Sequence, residues 1–195
     1  MHLLRHPKAK YSLGVDLATS GADETAFVIL EQKTFGDNTI KVIYTHTMEQ
    51  SDGVQIRNYM LMLHKQFNFD KIYVDATGMG DTFTDFLVEE LGRVVEGLKF
   101  TQASKQEIFE NLRILMQEKK LVYPKTDRKL IKQLLSIKFE FSKRQDSKED
   151  ITKRKRIYHD SREHDDLVCA LCLAAIYFSR KESPKTHGYV MGRIK

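Results

Sequence analysis

Four acidic residues stand where their neighbours are mostly apolar. Asp16 lies in YSLGVDLATSGADETAFVIL (residues 11–30), where Leu13, Val15 and Leu17 alternate with the two-residue period of a half-buried strand. Asp75 ends a second apolar run in KIYVDATGMG, and Asp165 and Asp166 open the stretch HDDLVCALCLAA. Taken singly, a strand Asp is more often a solvated edge residue than part of a site; the repetition is what points to chemistry. Asp16, Asp75 and Asp166 are each 59 or more residues from the next, so only a fold can bring them together. Crowded carboxylates raise one another's pKa unless cations neutralise them. Hard oxygen ligands, without the Cys and His spacing of a zinc site, suit Mg²⁺ or Mn²⁺. Two such ions about 3.5–4 Å apart can clamp the attacking and leaving oxygens of an in-line phosphoryl displacement. The competing reading gives the acids separate duties as turn former, strand end and helix cap.

Other residues around these acids carry weaker signals. Asp23 and Glu24 follow the first strand closely, although a turn needs such residues anyway. Gly78 and Gly80 let the backbone pass close to a substrate or to the last helix. His164 is placed to orient a carboxylate or assist a water, although a histidine at a helix start is more often merely exposed. Cys169 and Cys172 are the only cysteines, a C-x-x-C inside an apolar helical run with no second pair. They read as buried thiols on a packing face rather than as a redox or zinc site with His159 and His164.

Charge adds a partner class. Residues 119–162 hold 15 Lys and Arg against 6 Asp and Glu, a balance of +9, so within a net charge of +5 the rest of the chain totals −4. A basic block beside a mildly acidic domain fits a polyanion. Lys143, Arg144, Lys153, Arg154, Lys155 and Arg156 are its expected phosphate contacts, gripping backbone without reading bases.

The elements needed to position these groups are legible from periodicity. Strands at 11–17, 26–30 and 39–47 joined by short loops make an antiparallel meander. A helix capped by Asp52 runs to Phe67, followed by a buried strand at 71–75, a helix at 81–91 and a fifth strand at 94–100. Ser104 and Glu107 read as a capping box for the next helix. Asp127 starts a helix through Leu135, and 137–158 reads as a basic β-hairpin. The final helix spans 163–180, its acids in the first turn where the dipole favours them. A meander followed by strand–helix alternation predicts an α/β fold: a mixed five-stranded central sheet with helices on both faces. With 195 residues, 41% apolar and 30% charged, one globular domain at 11–182 is expected, between an extension at 1–10 and a tail at 183–195. The apolar run Leu167–Phe178 is too short for a bilayer span, and no signal peptide is evident, so an intracellular setting is expected.

The order of acids and elements resembles the ribonuclease H-like nuclease superfamily. More narrowly, GVDLATSGADETA, VDATGMG and HDDLVCALCLAA resemble the signature segments of the nuclease domain of tailed-phage large terminase subunits. The resemblance covers most of residues 11–180. It implies that Asp16, Asp75 and Asp166 bind the catalytic metals, with Asp165 as a secondary ligand. It also implies a metal-dependent endonuclease, using two Mg²⁺ or Mn²⁺ ions, that cuts concatemeric double-stranded DNA during genome packaging in the host cytoplasm. An upstream ATPase domain, small terminase and portal proteins are the partners it implies. No Gly-Lys dipeptide occurs, hence no Walker A loop, and an isolated nuclease domain of a longer protein is the expectation. The alternatives are a Holliday-junction resolvase or transposase-like nuclease, an actin-like phosphotransferase, for which the chain is too short, and a DNA-binding module without chemistry.

Overall fold

In the computed structural model, the structure describes residues 5–18, 24–36, 38–77, 80–141, 155–159 and 164–179. Three strands come first: β1 (Ala9–Asp16), β2 (Glu24–Lys33) and β3 (Ile40–Glu49). They pair antiparallel in sequence order, as short connections require. Helix α1 (Gly53–Phe67) opens on a capping box between Asp52 and Gln55 and closes on Asn68, whose φ of 49° is left-handed. It leads to β4 (Lys71–Asp75), α2 (Gly80–Leu91) and β5 (Val95–Leu98). After α3 (Gln102–Gln117), the two-residue strand β6 (Leu121–Val122) and α4 (Arg128–Ser136) come the hairpin strands β7 (Ile137–Phe141) and β8 (Lys155–His159). Helix α5 (Asp166–Ser179) is the last described element.

The central sheet has the order β5-β4-β1-β2-β3-β6, with β4 parallel to β1, β5 parallel to β4 and β6 parallel to β3. The expected mixed sheet therefore gains a sixth strand, β6, which is too short to show a period in sequence. Alternation on β1 divides its side chains between two cores. Tyr11, Leu13, Val15 and Leu17 pack toward α1 and α2. Ser12, Gly14 and Asp16 point to the opposite face, which α5 covers with α3 and α4 beside it.

Helix α5 is apolar all round and buried from Leu167 through Ile176. It lies on the middle of the sheet at backbone-contact distance. A Cβ built on Gly14 would stand 1.9 Å from the Ala170 carbonyl oxygen and 2.6 Å from the Ala174 nitrogen. The Ser12 hydroxyl donates to the Ala174 carbonyl at 2.8 Å, fixing the same contact.

The starts of two helices differ from the sequence reading by about a turn. Helix α3 begins a turn earlier, because Thr101 and Ser104 form the reciprocal box instead of Ser104 and Glu107. Helix α5 opens at Asp166, leaving Asp165 just ahead of the first turn, where its carbonyl accepts from the Cys169 amide at 2.8 Å. The expected hairpin is present at its base, with Ile137 opposite His159 and Phe141 opposite Lys155. Among the described residues no helix is long and apolar enough to cross a membrane.

Candidate metal centre

The sheet register brings the first two acids together. Val15 pairs with Val74 across the parallel β1–β4 ladder, so Asp16 and Asp75, one residue further, end neighbouring strands. Both share the α5 side of the sheet by alternation. Asp75 is held by a tight local turn, its Oδ1 accepting from the Thr77 amide at 2.8 Å. The loop that follows is tied to β5, with the Ala76 amide donating to the Leu98 carbonyl at 2.8 Å and the Phe100 amide to the Thr77 hydroxyl at 3.0 Å. Helix α5 then brings its acidic start to the same place. Ala170 and Ala174, four and eight residues after Asp166, touch β1, so Asp166 continues the face that lies on the sheet.

Electrostatics show that these groups sense one another. Burial pushes the Asp16 carboxyl well above the ordinary aspartate range, and the nearby carboxylates of Asp75, Asp166 and Asp165 push it further, against Lys105. Asp165 is paired with the Lys105 ammonium at 3.1 Å, and His164 Nδ1 lies 3.7 Å from Asp166 Oδ2. Burial works against the charge on Lys105, but its acidic surroundings, Asp165 and Asp16 among them, outweigh burial and raise its pKa. The Cys169 and Cys172 thiols are free and buried, and burial pushes both well up, which keeps them protonated beside the acids.

The donor set fits a hard divalent cation: carboxylate oxygens from three elements, gathered around a half-buried Asp16 whose pKa burial and the neighbouring acids raise, a repulsion that a positive charge would offset. Among the described residues, no three His, Cys, Asp or Glu side chains are gathered tightly enough to form a ready cage. The arrangement is thus a set of coupled acids at one end of the sheet rather than a closed coordination sphere.

The remaining sequence candidates are more dispersed. Glu24 opens β2 but gives its carboxylate to Lys129 on α4. Gly80 is the first residue of α2. Lys155 and Arg156 lie on β8, opposite Phe141 and Glu140. Asp23, Gly78, Lys143, Arg144, Lys153 and Arg154 fall outside the described residues. Sequence reasoning missed two side chains at the acidic end. Lys105 continues the apolar stripe of Ile108, Phe109 and Leu112 at i+3, i+4 and i+7, and a cation there is a signal that the stripe faces acids. Gln133 is buried beside Leu130 on α4, and its Oε1 accepts from the Leu167 amide at 2.9 Å. A polar residue on the inner face of an amphipathic helix was the available clue.

An antiparallel β1–β3 meander continued by parallel strands, with acids on β1, on β4 and at the start of the last helix, defines a ribonuclease H-like domain. The family model described as "Terminase RNaseH-like domain" matches residues 13–178, and the chain belongs to this family. No curated protein sequence matches significantly. The chain is similar in fold to the large terminase nuclease of thermophilic phage G20c with bound magnesium, at 18% identity and a TM-score of 0.70, over 88% of this chain and 83% of that one. The large terminase nuclease domain of Thermus phage P74-26 matches at 17% identity and a TM-score of 0.67, over 88% and 81%. The large terminase of bacteriophage HK97 matches at 12% identity and a TM-score of 0.64, over 88% of this chain but 40% of that one.

Proposed function

We propose that the chain is the endonuclease domain of a phage large terminase, cutting concatemeric double-stranded DNA during packaging. The observation that carries this reading is the placement of Asp16 and Asp75 at the ends of neighbouring strands, with the helix that starts at Asp166 seated against β1, in a chain of the terminase family. Asp16, Asp75 and Asp166 are the principal ligands proposed for two Mg²⁺ or Mn²⁺ ions. Asp165, facing Lys105, serves from the rim. Held by these carboxylates, such ions would supply Lewis-acid activation of water and would offset charge on the leaving 3′ oxygen. The protein's own part is to fix the acids on rigid elements. Strands β1 and β4 set the spacing of two carboxylates, and the Gly14 contact brings α5 close enough to add the others. The magnesium bound to the similar G20c nuclease supports the cation class, although the same nuclease is also known with cobalt and zinc.

The basic block supplies substrate affinity in this reading. Hairpin Lys and Arg side chains would neutralise phosphates and leave sequence unread. The matched region covers 40% of the HK97 large terminase, which leaves room for the additional domain proposed here, an upstream ATPase. Small terminase and portal proteins are the proposed further partners, and the host cytoplasm the proposed place of action.

A plasmid-nicking assay tests the proposal. The wild-type chain should nick supercoiled DNA in Mn²⁺ and not in EDTA. Asp16→Asn and Asp75→Asn should abolish nicking while DNA binding persists. Cleavage in excess EDTA, or full activity in either variant, refutes the metal-centre reading. Binding without any cleavage by the wild type leaves a DNA-binding module instead.

A further inference from the structure

Helix α4 is fastened to other elements at three points. At its start, Asp127 accepts from the Thr45 hydroxyl of β3 at 2.5 Å. One residue into the helix, Lys129 reaches Glu24 at the head of β2 and the Thr47 hydroxyl at 3.0 Å. In its inner face the buried Gln133 accepts from the Leu167 amide of α5 at 2.9 Å. From its last residue, Ser136, the chain passes directly into β7 at Ile137. The element that carries the basic hairpin is therefore the one that grips the acidic start of α5.

The Gln133 contact is chemically specific. The Leu167 amide belongs to the first turn of α5, whose N–H groups have no partner within the helix. A buried amide of that kind must be satisfied from outside. Here the acceptor arrives on a side chain 34 residues earlier in the chain. Leu167 is flanked by Asp166, so the bond fixes the height and rotation of the helix end bearing that carboxylate. The Leu130 and Leu134 side chains flank Gln133 against the α5 core, so the amide has little freedom to leave.

We propose that Gln133 is a positioning residue for the acidic end of α5, and that it links the hairpin-bearing α4–β7 segment to the placement of Asp166. This rests on the metal-centre reading above. Gln133 touches neither metal nor substrate and acts through the backbone of Leu167. Groups that hydrogen-bond a metal ligand directly commonly set metal affinity, their removal costing about 10–100-fold; Gln133 acts one backbone step further out, which places its effect at the lower end of that range.

The test uses three substitutions and Mn²⁺ alone as the probe. Gln133→Met keeps the length and bulk of the side chain and removes its oxygen. Gln133→Glu keeps the oxygen. Gln133→Asn retracts the amide by one methylene and stands in should the Met variant fail to fold. Mn²⁺ affinity is read by calorimetry, and exposure of the Leu167 amide by hydrogen exchange. Gln133→Met should bind Mn²⁺ about tenfold or more weakly and exchange the Leu167 amide faster, with DNA affinity in EDTA unchanged. Gln133→Glu should recover most of the Mn²⁺ affinity and the slow exchange. A folded Met or Asn variant with wild-type Mn²⁺ affinity overturns the proposal, even if its melting temperature falls, because that pattern is purely structural. If the wild type binds Mn²⁺ with this Gln133 dependence yet never cleaves DNA, the nuclease reading fails and the positioning role stands. If it cleaves and the variants bind Mn²⁺ normally, the positioning role alone fails.

Discussion

Replacing Gly14 by alanine tests the contact that brings the metal centre together. The added Cβ would meet Ala170 O at 1.9 Å and Ala174 N at 2.6 Å, both backbone atoms of α5 that no rotamer change can move. Ordinary carbon–oxygen contacts need about 3.3–3.6 Å, so the helix must lift from β1 by more than about 1 Å. Overpacking of this kind costs about 1–3 kcal/mol. Lifting α5 also stretches the Ser12–Ala174 hydrogen bond, worth about 1 kcal/mol. The sum, about 2–4 kcal/mol, lowers the melting temperature by about 4–16 °C for a chain of this length. It remains below the roughly 5–15 kcal/mol typical of a domain, so the variant should still fold. Circular dichroism melts measure the loss, and Mn²⁺ titration of the folded variant should show weaker binding because Asp166 has moved away from Asp16. Gly53→Ala is the control: its Cβ would meet only the Phe83 ring at 3.7 Å, an ordinary contact, and should cost nothing measurable. A Gly14→Ala protein melting within about 2 °C of wild type, against the roughly 2–4 °C expected per kcal/mol, would refute the close seating of α5.

Four further expectations address the charges. Asp16 has a folded-state pKa raised above its unfolded value, so the native state binds the proton more tightly and metal-free stability should fall as pH rises through the raised pKa. The wild type minus Asp16→Asn difference in melting temperature should therefore grow more negative toward neutral pH, and a pH-independent difference would count against the acid cluster. Saturating Mn²⁺ should raise the wild-type melting temperature and leave Asp16→Asn unmoved, a hundredfold excess over Kd being worth about 2.7 kcal/mol. Lys105→Met should lower metal-free stability by no more than about 1 kcal/mol, since the Lys105–Asp165 pair is partly open to solvent, and the loss should shrink at high salt; a loss indifferent to salt would show that packing of the lysine stem matters more. Changing Lys153, Arg154, Lys155 and Arg156 to alanine should weaken DNA binding uniformly across sequences and reduce the salt slope by about one unit for each phosphate no longer neutralised, and unchanged binding would assign the hairpin to another partner.

The sequence by itself determined the elements and the acids they carry. Asp16 and Asp75 are legible because strand period is local: a carboxylate among Leu13, Val15 and Leu17 is out of place whatever the fold. The Asp52–Gln55 cap and the Asp127 start of α4 are local for the same reason, being hydrogen bonds across three residues. Tertiary structure decided what depends on elements far apart in the chain. Strand order β5-β4-β1-β2-β3-β6 places β4 against β1 and makes neighbours of two acids 59 residues apart. No local pattern distinguishes Gly14 from a glycine with open space around it; only the seating of α5 gives it the backbone of Ala170 to touch. Lys105 and Gln133 were unremarkable polar residues on amphipathic helices until α3 and α4 were packed beside α5. Their partners, Asp165 and the Leu167 amide, lie 60 and 34 residues away. Side-chain periodicity reports which face of an element is buried, but which charged or polar group waits on the other side is a property of the packed molecule alone.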